Sequence, residues 1–177
     1  MNFQIPVSGK ISWIGENDRR KELFENMWPL PQGVAYNAYI INDERTALVD
    51  TVDISVAGDF LDRIATQLQG RELNYLIINH MEPDHSGMIG MLTKQYPNLQ
   101  IVGNKLTHNI LKAYFGLSEN LLEIKDGDKL HLGHHQLQFL MTPWVHWPET
   151  MMTYDVTEQL LFSGDAFGAF GAFSGGI

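Results

Sequence analysis

Four groups able to ligate a metal fall within six residues: His80, Glu82, Asp84 and His85, in the run His80-Met-Glu-Pro-Asp-His85. The run follows residues 74–79 (NYLIIN), a short apolar stretch that reads as a buried strand. In extended chain the side-chain period is two, so residues 80, 82 and 84 are expected to aim at one point, with His85 turning in from the start of a helix. Imidazole and carboxylate together suit iron, zinc or manganese. Without a cation between them, donors packed this closely would repel or be poorly solvated. A solvated polar loop is the plainer reading, but so dense a ligand set after a buried strand is the context a metal site needs.

Two further candidates lie downstream. His146 sits in Trp144-Val-His-Trp-Pro148, where flanking Trp and Pro side chains are expected to orient it. Asp165 ends Leu161-Phe-Ser-Gly-Asp165. Taken alone, the first reads as a packing histidine and the second as a turn residue or helix cap. They join the set because each repeats the arrangement of the first cluster, a donor at the end of an apolar strand.

The elements that must position these residues are legible from periodicity. Residues 10–14, 36–42 and 45–50 read as strands, the last two joined at Asp43-Glu44 as a hairpin. A helix is expected from Ser55 to about Gln69, with Val56, Phe60, Ile64 and Leu68 four apart and Gly70 as its C-terminal cap. A second helix is expected from about Ser86, its cap, to a stop before Pro97. A strand at 100–102 and a third helix marked by Leu106, Ile110, Leu111 and Tyr114 follow, the helix ending at Gly116. Strands are then expected at 121–125, 129–132, 136–141, 151–155 and 159–162. This mixture predicts a layered α/β arrangement. Of the other histidines, His134 and His135 fall beside Gly133 in an expected solvated turn, His131 on a short strand, and His108 on the helix side away from Leu106, Ile110 and Leu111.

Composition narrows the partners. A net charge of −9 disfavours nucleic acid and anionic membrane surfaces. With no cysteine, thiolate metal sites, iron–sulfur clusters and a Cys nucleophile are excluded. No signal peptide or membrane-length apolar run is visible, and a cytoplasmic location is expected.

Five stretches in order carry a family likeness: Gly33-Val-Ala-Tyr-Asn-Ala-Tyr39, Ala47-Leu-Val-Asp-Thr51, Asn79-His-Met-Glu-Pro-Asp-His-Ser-Gly87, His146-Trp-Pro148 and Gly164-Asp-Ala-Phe-Gly168. Together they resemble the metallo-β-lactamase-like domain of flavodiiron proteins, over nearly the whole chain. The wider hydrolase superfamily has His where Glu82 stands. A carboxylate there adds a negative charge and a harder donor, so Glu82, Asp84 and Asp165 offset most of the charge of two ferrous ions.

The resemblance implies an αββα sandwich of the α/β (α+β) class, of which this chain supplies the first half and a little more. It implies one iron held by His80, Glu82 and His146, another by Asp84 and His85, and Asp165 bridging them. Asp50 resembles a residue that orients ligands in this fold, although a turn residue at a strand end is an equal reading. The implied activity is reduction of dioxygen to water or of nitric oxide to nitrous oxide. Electrons would come through FMN in a flavodoxin-like domain, fed by a rubredoxin-like donor, within a head-to-tail homodimer. No hydroxyl-rich FMN phosphate loop occurs in the chain, and the family's further His ligand has no candidate in the twelve residues after Asp165. The Gly-rich apolar stretch 168–177 reads as loop interior, so the chain is expected to be a fragment of a longer polypeptide. Two other functions share the framework, an oxygen-binding sensor without turnover and a dizinc hydrolase. Glu82 argues against the hydrolase.

Overall fold

The computed structural model describes residues 5–173; residues 174–177, the end of the Gly-rich stretch, lie outside them. The first part holds β1 (Ile5–Ser8), β2 (Ile11–Trp13), β3 (Glu16–Asp18), β4 (Leu23–Phe24), β5 (Trp28–Pro29), β6 (Val34–Tyr36), β7 (Tyr39–Asn42) and β8 (Thr46–Val49). Helices then alternate with strands: α1 (Ala57–Leu68), β9 (Tyr75–Ile77), α2 (Pro83–Ser86), α3 (Ile89–Gln95), β10 (Gln100–Gly103) and α4 (Lys105–Phe115). The last part is β11 (Leu121–Glu123), β12 (Lys129–His131), β13 (Gln136–Met141), β14 (Met151–Asp155) and β15 (Leu160–Phe162).

Seven strands form one sheet in the order β1-β2-β7-β8-β9-β10-β11, and β12-β13-β14-β15 form a second, antiparallel sheet. In the first, β8 to β11 run parallel. Strands β8 and β9 are apolar on both faces because both faces are covered. Leu48, Leu76 and Ile101 meet the helices, where Phe60, Ile64 and Leu68 of α1 and Leu92 of α3 are buried. Their neighbours Val49, Ile77 and Val102 point the other way, against Leu137, Phe139 and Met151 of the second sheet. The described residues thus form helix, sheet and sheet layers, and no described helix contributes to the core between the sheets.

Three local expectations change. The second helix is two pieces, because Pro83 opens a helical turn three residues before Ser86. Gly87 then separates α2 from α3 at a point where a Cβ would lie 2.7 Å from Pro83 O and 2.9 Å from Val52 O. Ser86 does not cap; its hydroxyl donates to the carbonyls of Met81 and Glu82. On α4 the buried positions are Thr107 and Leu111, while Leu106 and Tyr114 are exposed. Asn104 caps this helix by accepting from the N–H groups of Leu106 and Thr107.

His135 is the third change: it is buried, not solvated. Gly133, at φ +131°, lets the β12–β13 turn settle onto Glu44 at the tip of the β7–β8 hairpin. There Arg45 N donates to Leu132 O, His135 N donates to Asp43 Oδ2, and His135 Nδ1 lies 2.6 Å from Asp155 Oδ2. Lys10 Nζ closes the group at 2.9 Å from Asp43. Burial alone would raise the Asp43 pKa, but the His135 N–H and the Lys10 ammonium outweigh it and hold the carboxyl at about 2.

Candidate metal centre

Strands β8 and β9 of the first sheet, and β13 and β15 of the second, all end at one edge of the two-sheet stack. Asp50 follows β8, His80 follows β9, His146 lies between β13 and β14, and Asp165 follows β15. Loops leaving strand ends are free of ladder bonds, so their side chains can converge.

Four donor atoms meet there: His80 Nε2, Glu82 Oε2, His146 Nε2 and Asp165 Oδ2. His80 Nε2 lies 3.1 Å from Glu82 Oε2, 3.1 Å from His146 Nε2 and 3.6 Å from Asp165 Oδ2. His146 Nε2 lies 3.2 Å from both Glu82 Oε2 and Asp165 Oδ2. Ligands bonded at roughly 2.0–2.2 Å around one cation stand about this far apart. Asp165 turns its other oxygen, Oδ1, to within 2.7 Å of His85 Nε2, so one carboxylate faces both sides of the cluster.

The second side is looser. Asp84 Oδ2 is 3.7 Å from His85 Nε2, and Asp84 does not join the four-donor group. Because Pro83 starts α2, Asp84 belongs to a helical turn and does not follow the alternation expected of residues 80, 82 and 84. Its Oδ1 is buried with no hydrogen-bond partner among the described residues. Burial, opposed by His85 and helped by Asp165 and Glu82, pushes the Asp84 pKa up to about 6. His85 Nδ1 is likewise buried without a hydrogen bond, with Asp50 Oδ2 3.6 Å away. Asp50 accepts the Asn79 N–H at 2.7 Å through its other oxygen. His85 Nε2, beside Asp84 Oδ2 and Asp165 Oδ1, together with the unpaired Asp84 Oδ1, is a donor set that fits a cation.

The charges answer one another. Burial would lower the His80 pKa, but Glu149 and Glu82 raise it to about 9. Burial would raise that of Asp165, but His85 holds it at about 2. His85 is raised well above its ordinary value by Asp165 and Asp50, against the opposing effect of burial.

The sequence reading missed Glu149. Its side chain is fully buried, and Oε1 accepts from both His80 Nδ1 at 2.8 Å and Met81 N at 3.0 Å. A carboxylate there keeps a proton on Nδ1 and leaves Nε2 to face the cluster. The available signal was an acidic residue directly after Trp147-Pro148 and before a strand. His146 also differs from expectation: its side chain is 53% exposed, and Trp144 points to solvent. The loop is held by Trp144 N donating to Trp147 O and by Thr150 bonding Trp147 at both N–H and C=O. Packing thus holds Trp147, edge-on to His80 at 5.1 Å, more than it holds His146.

Residues 166–173 lie along the 17–32 region. Ala172 N donates to Gln32 O, Phe173 N to Asn17 Oδ1 and Arg19 to Phe173 O, while Phe24 and Phe170 rings stand 5.0 Å apart. The described part of the stretch read as loop interior, residues 168–173, is instead largely on the surface, with Phe170 57% and Phe173 47% exposed.

Residues 34–174 match the family described as ODP family beta lactamase. A curated relative, the anaerobic nitric oxide reductase flavorubredoxin of Pectobacterium carotovorum subsp. carotovorum, is 36% identical over 170 residues, covering 93% of this chain and 33% of that protein. The chain therefore spans about a third of the length of the curated relatives it matches. The crystal structure of the flavodiiron protein from Giardia intestinalis superposes with a TM-score of 0.91 at 29% identity, over 97% of this chain and 42% of that one. Rubredoxin oxygen:oxidoreductase from Desulfovibrio gigas gives 0.91 at 29% identity, over 97% and 43%.

Proposed function

The chain belongs to the ODP family of β-lactamase domains, the metallo-β-lactamase-like domain of flavodiiron proteins, and from that premise we propose that it carries a two-iron centre reducing dioxygen or nitric oxide. The observation that carries this reading is the convergence of His80, Glu82, His146 and Asp165, with the second oxygen of Asp165 turned to His85. In this assignment His80, Glu82 and His146 hold one iron, Asp84 and His85 the other, and Asp165 bridges them.

Iron bound there supplies electrons and open positions for a diatomic substrate. The protein's own residues do the rest. Glu149 fixes the tautomer of His80, and Asp50 stands behind His85. Glu82, Asp84 and Asp165 supply the negative charge that favours iron in its higher oxidation state. Trp147 covers one side of His80 and limits water around it.

We read the chain as the N-terminal part of the diiron domain within a longer cytoplasmic polypeptide. There an FMN-bearing flavodoxin-like domain and a rubredoxin-like donor deliver electrons in a head-to-tail homodimer. That curated relatives of about three times this length are named nitric oxide reductase flavorubredoxins supports the longer polypeptide and nitric oxide as a substrate.

The test is metal analysis of the full-length polypeptide purified without oxygen, followed by gas consumption with a chemical reductant. About two irons per chain and reductant-dependent loss of nitric oxide or dioxygen are expected. Stoichiometric zinc with ester or phosphodiester hydrolysis and no gas consumption would overturn the reading.

A further inference from the structure

The candidate ligands come from two sheets whose shared core is apolar. Such packing is non-directional and carries no polar contact of its own to mark a register. Ligand atoms about 3 Å apart across that seam need something that fixes its register. Asn79, directly before His80, has its backbone and side-chain polar groups all bonded, to partners on both sides.

Its backbone N–H donates to Asp50 Oδ1 at 2.7 Å, within the first sheet's edge. Its backbone carbonyl accepts from Met151 N at 3.0 Å, at the start of β14. Its side-chain amide donates from Nδ2 to Phe162 O at 3.3 Å, at the end of β15. Its Oδ1 accepts the Thr153 hydroxyl at 2.7 Å, again on β14. Asn79 and Thr153 are both fully buried. These bonds join the residue before His80 to the strand that follows Glu149 and to the strand that leads into Asp165. A buried, fully satisfied amide is costly to shift, because any slide leaves a polar atom without a partner.

We infer that Asn79 is a positioning residue for the metal centre, clamping β9 to β14 and β15 so that His80 and Asp165 face each other at ligand spacing, with Thr153 as its hydroxyl partner. The inference rests on the metal-centre reading above. Asn79 touches neither metal nor substrate; it acts through His80 and Asp165.

The experiment uses Thr153→Val, which keeps the shape of the side chain and removes the hydroxyl, beside Thr153→Ser, which restores it. Thr153→Ala, which removes the same hydroxyl with less bulk, is measured as well in case the valine does not fit. Each is made in the full-length polypeptide. Cobalt(II) affinity, its visible absorption and the melting temperature without added metal are recorded. Thr153→Val should weaken cobalt binding roughly 10–100-fold and move the absorption bands, with Thr153→Ser close to the parent. A lowered melting temperature with unchanged affinity and spectrum would reduce Asn79 to a structural brace and overturn the inference. A folded parent protein that takes up no cobalt would overturn the metal-centre reading itself, and this inference with it.

Discussion

Glu149 Oε1 lies 2.8 Å from His80 Nδ1 across the seam between the two sheets, with neither side chain open to solvent. The same oxygen accepts Met81 N–H, and Oε2 has no hydrogen-bond partner among the described residues. The pair therefore depends on one charged oxygen. Glu149→Gln keeps the shape and an acceptor but removes the charge. It should weaken iron binding roughly 10–100-fold, read by chelator competition, with the fold retained. Glu149→Ala also leaves His80 Nδ1 and Met81 N unpaired in the interior, and should cost about 2–3 kcal/mol of stability in urea titration. Equal iron affinity in all three proteins would show that His80 does not need this partner.

Asp165 and Asp84 should separate by stoichiometry. Asp165 reaches His80 and His146 with Oδ2 and His85 with Oδ1, while among the described residues Asp84 pairs with His85 alone. Asp165→Ala is expected to lower bound iron from about two per chain to less than one, because both sides lose a donor. Asp84→Ala should leave about one. Metal analysis after anaerobic loading and desalting checks both, and identical losses in the two variants would contradict the bridging role.

What the sequence disclosed follows the reach of each signal. The four-residue spacing of Phe60, Ile64 and Leu68 and the apolar runs of β8 and β9 are local patterns, and their core positions are buried as expected. His80 and Glu82 stand two apart in the short loop between the strand and Pro83, and their donor atoms face one point, also a local relationship. Asp84 departs because Pro83 changes the backbone from extended to helical between the two carboxylates. Glu149 was invisible because its partner is 69 residues away and no spacing rule links them. His135 was misread for a related reason. Its turn looked solvent-facing, and burial comes from docking on Asp43, 92 residues away, and from pairing with Asp155.

That docking predicts a pH dependence remote from the metal centre. The Asp43 pKa falls from 3.8 to about 2 on folding. A depressed folded-state pKa contributes stability that is present above the unfolded value and lost as pH falls through the folded one. Between about pH 4 and pH 2 the protein should therefore lose on the order of 2 kcal/mol that Asp43→Asn never had. Urea titrations of the two proteins across that range should converge at the acid end and diverge above it. Parallel curves would mean that the Lys10 and His135 contacts do not hold the carboxylate in solution.

Glu82 is the position where metal choice is open to a direct test. Its Oε2 stands 3.1 Å from His80 Nε2 and 3.2 Å from His146 Nε2, so in the proposed centre it would share one cation with two imidazoles. His80 holds the Glu82 carboxyl below its ordinary pKa, ahead of the opposing effect of burial, so Glu82 is an anionic donor. Glu82→His would exchange that anion for a neutral, softer nitrogen and make three imidazoles face one side of the cluster. Zinc is satisfied by such a set, whereas iron that must reach a higher charge loses the anion that stabilises it. Loading the parent and Glu82→His with equal ferrous iron and zinc, without oxygen, should raise the bound zinc-to-iron ratio in the variant by about tenfold, equivalent to roughly 1.4 kcal/mol of selectivity. The variant should also be harder to oxidise by air, followed by the near-ultraviolet absorption of ferric iron. An unchanged ratio would mean that the carboxylate at position 82 does not set metal preference, and the argument from Glu82 against a zinc hydrolase would fall with it.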